Sequence, residues 1–264
     1  MESPGSRADA VARADEVSRS GPISPPDAVS GANAVFSNND VSSPGPASPP
    51  GPVPPDSPGA PGWSLVIPVK VLARAKSRLT GLAGAARAEL ALAMAADTVA
   101  AALAAPLVST VIVVTDDQVV GAELGGLGAV VIEDQPAAGL NPALIFGAGY
   151  SDERWPGRGR AAMAGDLPAM RPAELALVLE LAAAAGEAFV PDAAGTGTTL
   201  YAAGPGVAFR PAFGPGSRDR HLAAGAAELD LPDLRGLRQD VDTPGDLELA
   251  AGIGLGPRTS AALG

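Results

Sequence analysis

The sequence predicts an α/β protein, Rossmann-like and three-layered, with a mostly parallel sheet. Three observations carry that prediction. Apolar strand-like runs alternate with helical stretches at regular spacing between residues 63 and 185. The run Thr110-Val-Ile-Val-Val-Thr115 is apolar without alternation, as a strand covered by helices on both faces is. The run 161–164 stops at Gly165-Asp166-Leu167-Pro168, the pattern of a buried strand that delivers one carboxylate to a sheet edge.

Taken in order, residues 63–69 form a short apolar strand, and 85–104, rich in Ala and Leu, a helix. A strand follows at 110–115, a short helix at 118–124 and a buried strand at 129–133. Residues 141–150 read as helix, 160–165 as strand and 171–185 as helix, with Pro172 in the first turn, where its missing N–H costs nothing. After Glu187 the pattern changes. Short strands at 188–191 and 198–203 flank a Gly-Thr-rich turn. A helix is expected at 217–227, a last strand at 237–241 and a last helix at 243–251.

Residues 1–62 stand apart. Thirteen of the 27 prolines fall there, among many Ser, Gly and Asn, so the segment cannot bury enough apolar surface to offset its ordering entropy. It is expected to be a disordered, dispensable extension, with the folded domain at 63–264. The chain is 47% hydrophobic but only 3% aromatic, so the core must come from close-packed small aliphatics. A net charge of -11 argues against a general nucleic-acid binder, which needs a basic face. The absence of Cys removes thiolate metal sites and Cys nucleophiles. No apolar run approaches the roughly 20 residues of a membrane span. There is no apolar leader core either, so a cytoplasmic protein is the expectation.

The chemistry-bearing residues sit where strands end. The first βα connection carries Lys70, Arg74, Lys76 and Arg78 within nine residues, and Lys70 and Lys76 are the only lysines of the chain. A compact ammonium suits a phosphate oxygen, although a charge run can also be only a solvated face. No Walker loop and no Gly-x-Gly-x-x-Gly is present. Asp166 either caps the helix that follows or offers a metal ligand. Asp240-Val241-Asp242 adds two carboxylates at i and i+2, on one face of the expected last strand. Three carboxylates at strand ends suit Mg²⁺, which keeps positions for phosphates and water. Asp242 also lies in a helix start, Asp242-Thr243-Pro244-Gly245-Asp246, so Asp240 is the favoured ligand of the pair. Two Gly-rich turns, Gly195–Thr199 and Phe213–Arg218, have plain turn chemistry. The second opens a helix that Ser217 is expected to cap, a ready anion site. His221, the only His, reads as helix surface or a packed side chain, with no support for a His-based triad.

Several segments in one order carry a family resemblance: Ile-Pro-Val-Lys with Ala-Lys-Ser-Arg-Leu (67–79), Gly-Leu-Asn (139–141), Gly-Asp-Leu-Pro (165–168), Gly-Thr-Gly-Thr (195–198), Phe-Gly-Pro-Gly-Ser (213–217) and Asp-Val-Asp-Thr-Pro (240–244). Over about residues 63–260 the chain resembles the guanylyltransferases that act on 2-phospho-L-lactate or phosphoenolpyruvate in coenzyme F-420 biosynthesis. The resemblance implies a GT-A-type nucleotidyltransferase fold and Mg²⁺ on Asp166 and Asp240. It implies contacts from Thr198, Gly214 and Ser217 to a small phosphorylated carboxylic acid. The implied reaction joins GMP from GTP to that acid and expels pyrophosphate, with Lys70, Lys76 and Arg78 balancing charge on the leaving group. Asn141 is a candidate contact by position. Functional coupling to a downstream transferase would follow. Two rivals are a sugar-phosphate or molybdopterin nucleotidyltransferase, whose Gly-Gly-x-Gly-x-Arg loop is missing here, and a non-catalytic nucleotide-binding module. The resembling segments differ from typical members in the N-terminal extension and in a charged, Gly-rich stretch at 150–160.

Overall fold

The computed structural model describes residues 62–69 and 84–264. The expected disordered extension, all but Gly62, lies outside the described residues, as do Lys70, Lys76 and Arg78. Seven strands build one sheet: β1 (Trp63–Pro68), β2 (Val108–Val114), β3 (Val130–Ile132), β4 (Gly159–Met163), β5 (Glu187–Pro191), β6 (Thr198–Ala203) and β7 (Ala227–Glu228). Their spatial order is β3-β2-β1-β4-β6-β5-β7. The β1–β2, β2–β3, β1–β4 and β5–β7 pairs are parallel, and β6 alone runs against its neighbours β4 and β5. Among the described residues, eight helices accompany them: α1 (Gly84–Leu103), α2 (Gln118–Gly126), α3 (Leu140–Arg154), α4 (Pro172–Ala185), α5 (Ser217–Ala223), α6 (Arg235–Arg238), α7 (Pro244–Ile253) and α8 (Pro257–Leu263).

Alternation along the central strands creates the three layers. Leu65, Ile67, Val111, Val113, Ala161 and Met163 face one side and pack on α1, α2 and α4. Val66, Ile112, Val114 and Ala162 face the other side, against Ala143 and Leu144 of α3. Small residues let the layers close tightly. A Cβ on Gly147 of α3 would come within 2.6 Å of Val66 Cγ1. A third cluster joins Leu90 and Met94 of α1 to Ala169, Val241 and Ala250. It clamps the chain shortly after Asp166 and immediately after Asp240 onto one support.

The predicted elements from β1 to β6 are present, with small shifts at their ends. The stretch 150–160 is ordered as the last turn of α3 and a short turn into β4. One expected strand is absent: 237–241 is the end of α6 followed by irregular chain. Its backbone groups bond to loops instead of a ladder. Val241 N–H donates to Asp166 O (3.1 Å), and Ala193 N–H donates to Arg238 O (2.8 Å). Buried Leu237 and Val241 lie four apart, a spacing that also fits one helical turn. The expected helix at 217–227 stops earlier, where Gly225 takes a φ of +90°. Helix α8 was not anticipated. It docks on α1 through the Asp97 carboxylate, which accepts from Arg258 N–H (3.1 Å) and Thr259 N–H (2.7 Å).

Candidate active site

The carboxyl ends of β1, β4 and β5 and the start of antiparallel β6 share one edge of the sheet. Ala164 N–H donates to Thr199 O at 2.8 Å, which sets the segment leading to Asp166 beside the start of β6. Gly165 lies against the end of β1, where a Cβ would meet Ile67, Pro68 and Val69 at 3.3–3.4 Å. The chain therefore leaves the end of β1 at a point next to Gly165 and Asp166.

Asp166 is not a helix cap. Helix α4 begins at Pro172 with Arg171 as N-cap. The Asp166 carbonyl accepts from Val241 N–H, and Leu167 N–H donates to buried Thr98 Oγ1 at 3.0 Å. These bonds hold Asp166 and Asp240 on adjacent backbones. Asp240 is the perturbed group. Burial, then the charges of Asp166, Asp242 and Asp192, push its carboxyl up to about 7. Asp242 belongs to the start of α7: its N–H donates to Asp246 Oδ2, and Thr243 and Asp246 form the expected capping box. Among the described residues, no trio of Asp, Glu or His is gathered to hold an ion by itself, so any ion here would rest on the one or two carboxylate oxygens expected. The hard carboxylate oxygens of Asp166 and Asp240 fit Mg²⁺, which takes most of its ligands from water and phosphate.

Two residues that sequence reasoning passed over shape this edge. Glu174 of α4 accepts from Arg171 N–H and Gly236 N–H, both at 2.8 Å, and so pins α6 ahead of Asp240. Asp192, at the end of β5, accepts from Thr196 N–H (2.9 Å) and Gly197 N–H (2.8 Å) and fixes the Gly-Thr turn. Their signals were faint, a Glu at the third helical position and an Asp before a Gly-Thr run.

Thr198 and Ser217 meet at His221, and Gly214 joins them through Ser217, whose N–H donates to the Gly214 carbonyl at 3.0 Å. Thr198 Oγ1 lies 3.0 Å from His221 Nδ1. Ser217 does not cap α5, because Gly216 is the N-cap, with a φ of +70°. The Ser217 Oγ is instead buried and without a hydrogen-bond partner, a hydroxyl held in reserve. Gly214, at a φ of +111°, sits in a turn whose carbonyls are tied together by Arg220. Asn141 is committed to the same turn: its amide donates to Phe213 O (3.1 Å) and accepts from Phe213 N–H (2.8 Å). It braces the Phe213 turn rather than reaching out from it.

His221 is fully buried, stacked between Phe189 and Tyr201 with Phe213 edge-on. Burial, then the nearby Arg220 charge, lowers its pKa from 6.5 to about 4. The unfolded ring takes up a proton near pH 6.5 and the folded ring only near 4, so protons favour the unfolded chain in between. The stability held by the neutral ring is complete above pH 6.5 and is lost as the pH falls toward 4, by up to about 3 kcal/mol. Urea midpoints of the wild type and His221→Gln, compared at pH 7 and pH 4.5, should converge at the lower pH; a constant gap would contradict the burial of a neutral ring.

Residues 63–247 match the family model described as guanylyl transferase CofC like. A phosphoenolpyruvate guanylyltransferase of Thermomonospora curvata is 60% identical over 199 residues, covering 75% of this chain and 87% of that protein. One of Streptomyces avermitilis is 56% identical over 201 residues, covering 76% and 93%. A solved structure from Desulfovibrio desulfuricans G20, assigned as a nucleotide-diphospho-sugar transferase, superposes with a TM-score of 0.57 at 16% identity, over 76% of this chain and 93% of that one. At that identity the likeness speaks for the fold, that of the nucleotidyltransferases.

Proposed function

Because the chain belongs to the CofC-like guanylyl transferase family, we propose that it transfers GMP from GTP to phosphoenolpyruvate and releases pyrophosphate. The attacking group is the phosphate oxygen of phosphoenolpyruvate, and the bond that breaks lies between the α- and β-phosphates of GTP. That phosphate is already ionised at neutral pH, so no protein base is needed, and the protein's part is positioning and charge neutralisation.

Asp166 and Asp240 would hold Mg²⁺ at the sheet edge. When bound, the ion neutralises phosphate charge and fixes the nucleotide's oxygens. Thr198 and Ser217 would turn their hydroxyls, and the Gly214 turn its backbone, toward the acceptor's carboxylate or phosphate. Lys70, Lys76 and Arg78 would balance the charge that builds on the departing pyrophosphate. The guanylylated acid would pass to a transferase that consumes it in coenzyme F-420 biosynthesis.

The observation that supports this reading most is the hydrogen bond from Ala164 to Thr199. It brings the carboxylate segment and the hydroxyl segment to one edge, where a nucleotide and an acceptor could meet. The test is pyrophosphate release with GTP or ATP crossed against phosphoenolpyruvate and 2-phospho-L-lactate, with and without Mg²⁺. Release is expected with GTP, phosphoenolpyruvate and Mg²⁺ together. Turnover with a sugar phosphate instead, or none with that trio, would overturn the assignment.

A further inference from the structure

We propose that His221 is a positioning residue of the acceptor site, whose ring aims the Thr198 hydroxyl as a hydrogen-bond donor toward the acid and keeps the 212–217 loop aligned with it. The proposal rests on the reading of Thr198 and Ser217 as acceptor contacts.

The tautomer follows from the neighbours. Ala212 N–H donates to His221 Nε2 at 3.0 Å, so that nitrogen carries no proton. A neutral ring then has its proton on Nδ1, which faces Thr198 Oγ1 at 3.0 Å and the Ser217 carbonyl. Both of those are acceptors, as a protonated Nδ1 requires. With its oxygen accepting from the ring, Thr198 keeps its own hydrogen for another partner. Carboxylate and ionised phosphate oxygens only accept, so a threonine polarised in this sense is matched to the substrate class.

The ring cannot easily turn out of this state. Phe189 and Tyr201 stack on it with centroids at 5.3 and 5.0 Å, and Phe213 closes the edge at 5.9 Å. The charged groups facing it are Arg220 on its own helix and Glu187 on β5. A proton on Nε2 would strip Ala212 N–H of its acceptor. One imidazole thus links β6, through Thr198, to the loop that carries Gly214 and Ser217.

The experiment is a double-mutant cycle on the full-length enzyme, with KM measured for both substrates. His221→Gln can offer its amide oxygen to Ala212 N–H, but its NH₂ sits at the Nε2 end of the ring's place and not at the Nδ1 position that faces Thr198. Its KM for phosphoenolpyruvate should rise about tenfold, the loss of one hydrogen bond to a charged group, with the KM for GTP unchanged. Thr198→Val should show a similar rise, and Thr198→Ser little. In the Thr198→Val background the His221→Gln effect should largely vanish. An unchanged acceptor KM in folded His221→Gln, equal rises for both substrates, or fully additive effects would each overturn the proposal. Should His221→Gln fail to fold, the Thr198→Val and Thr198→Ser pair carries the test alone; a folded Thr198→Val with an unchanged acceptor KM overturns the proposal. A wild type without guanylyltransferase activity would instead sink the functional reading beneath it.

Discussion

Asp166→Asn should abolish turnover while the protein stays folded. The side chain is nearly isosteric, and the backbone bonds that hold the segment, Val241 N–H to Asp166 O and Leu167 N–H to Thr98 Oγ1, do not involve the carboxylate. What is lost is one of two charged oxygens proposed for Mg²⁺. Removing a direct ligand should lower pyrophosphate release by at least about a hundredfold, more than loss of an outer-shell partner costs. Melting in the absence of ligand should shift little or upward, because the mutation relieves the repulsion that Asp166 exerts on Asp240. Near-normal turnover would mean that Asp166 does not touch the reacting centre.

The second large effect is expected at a glycine that has no chemistry. Gly236 packs so closely on the chain after Asp166 that a Cβ would stand 2.1 Å from Ala169 O and 2.8 Å from Glu174 Oε2. Backbone is the obstacle, so the segments must part. Parting them breaks the Gly236 N–H bond to Glu174 and pulls on the chain that leads to Asp240. Gly236→Ala should cost about 2–3 kcal/mol, a melting shift of about 5–10 °C for a domain of this size. Activity should fall further than stability alone requires, since Asp240 is displaced from Asp166 even in the folded fraction. A melting temperature and turnover both equal to the wild type would refute the close approach.

The central strands and their helices were legible because each carries its own pattern. The Thr110–Thr115 run needs no neighbour to declare itself buried, and Pro172 and Thr243 mark their helix starts locally. The misread element, 237–241, depends on a remote partner. Its apolar pair suits a strand or a turn, and only the Asp166 carbonyl, from another loop, decides between them. The site divides in the same way. Asp166 could be picked out as a strand-end acid, whereas Asp240 was singled out through a strand that the structure lacks. Asn141 could be picked out by position, but its pairing with Phe213 could not. A lone histidine gives no hint that Phe189, Tyr201 and Phe213 from three separate segments will enclose it. Glu174 shows locally only as a Glu at the third helical position; its hold on Gly236, a residue far along the chain, left no trace.

The strand that runs against the rest has a consequence for synthesis on the ribosome. Strand β6 lies between β4 and β5 but emerges after both. Until residue 203 has left the tunnel, β4 has an open edge, and β5 has no partner among the strands already made. Nascent chains stalled within this interval expose an apolar, unpaired strand of the kind that recruits other chains. Fragments ending between 164 and 198 should therefore aggregate, whereas completion of β6 joins β4 to β5 in a single step.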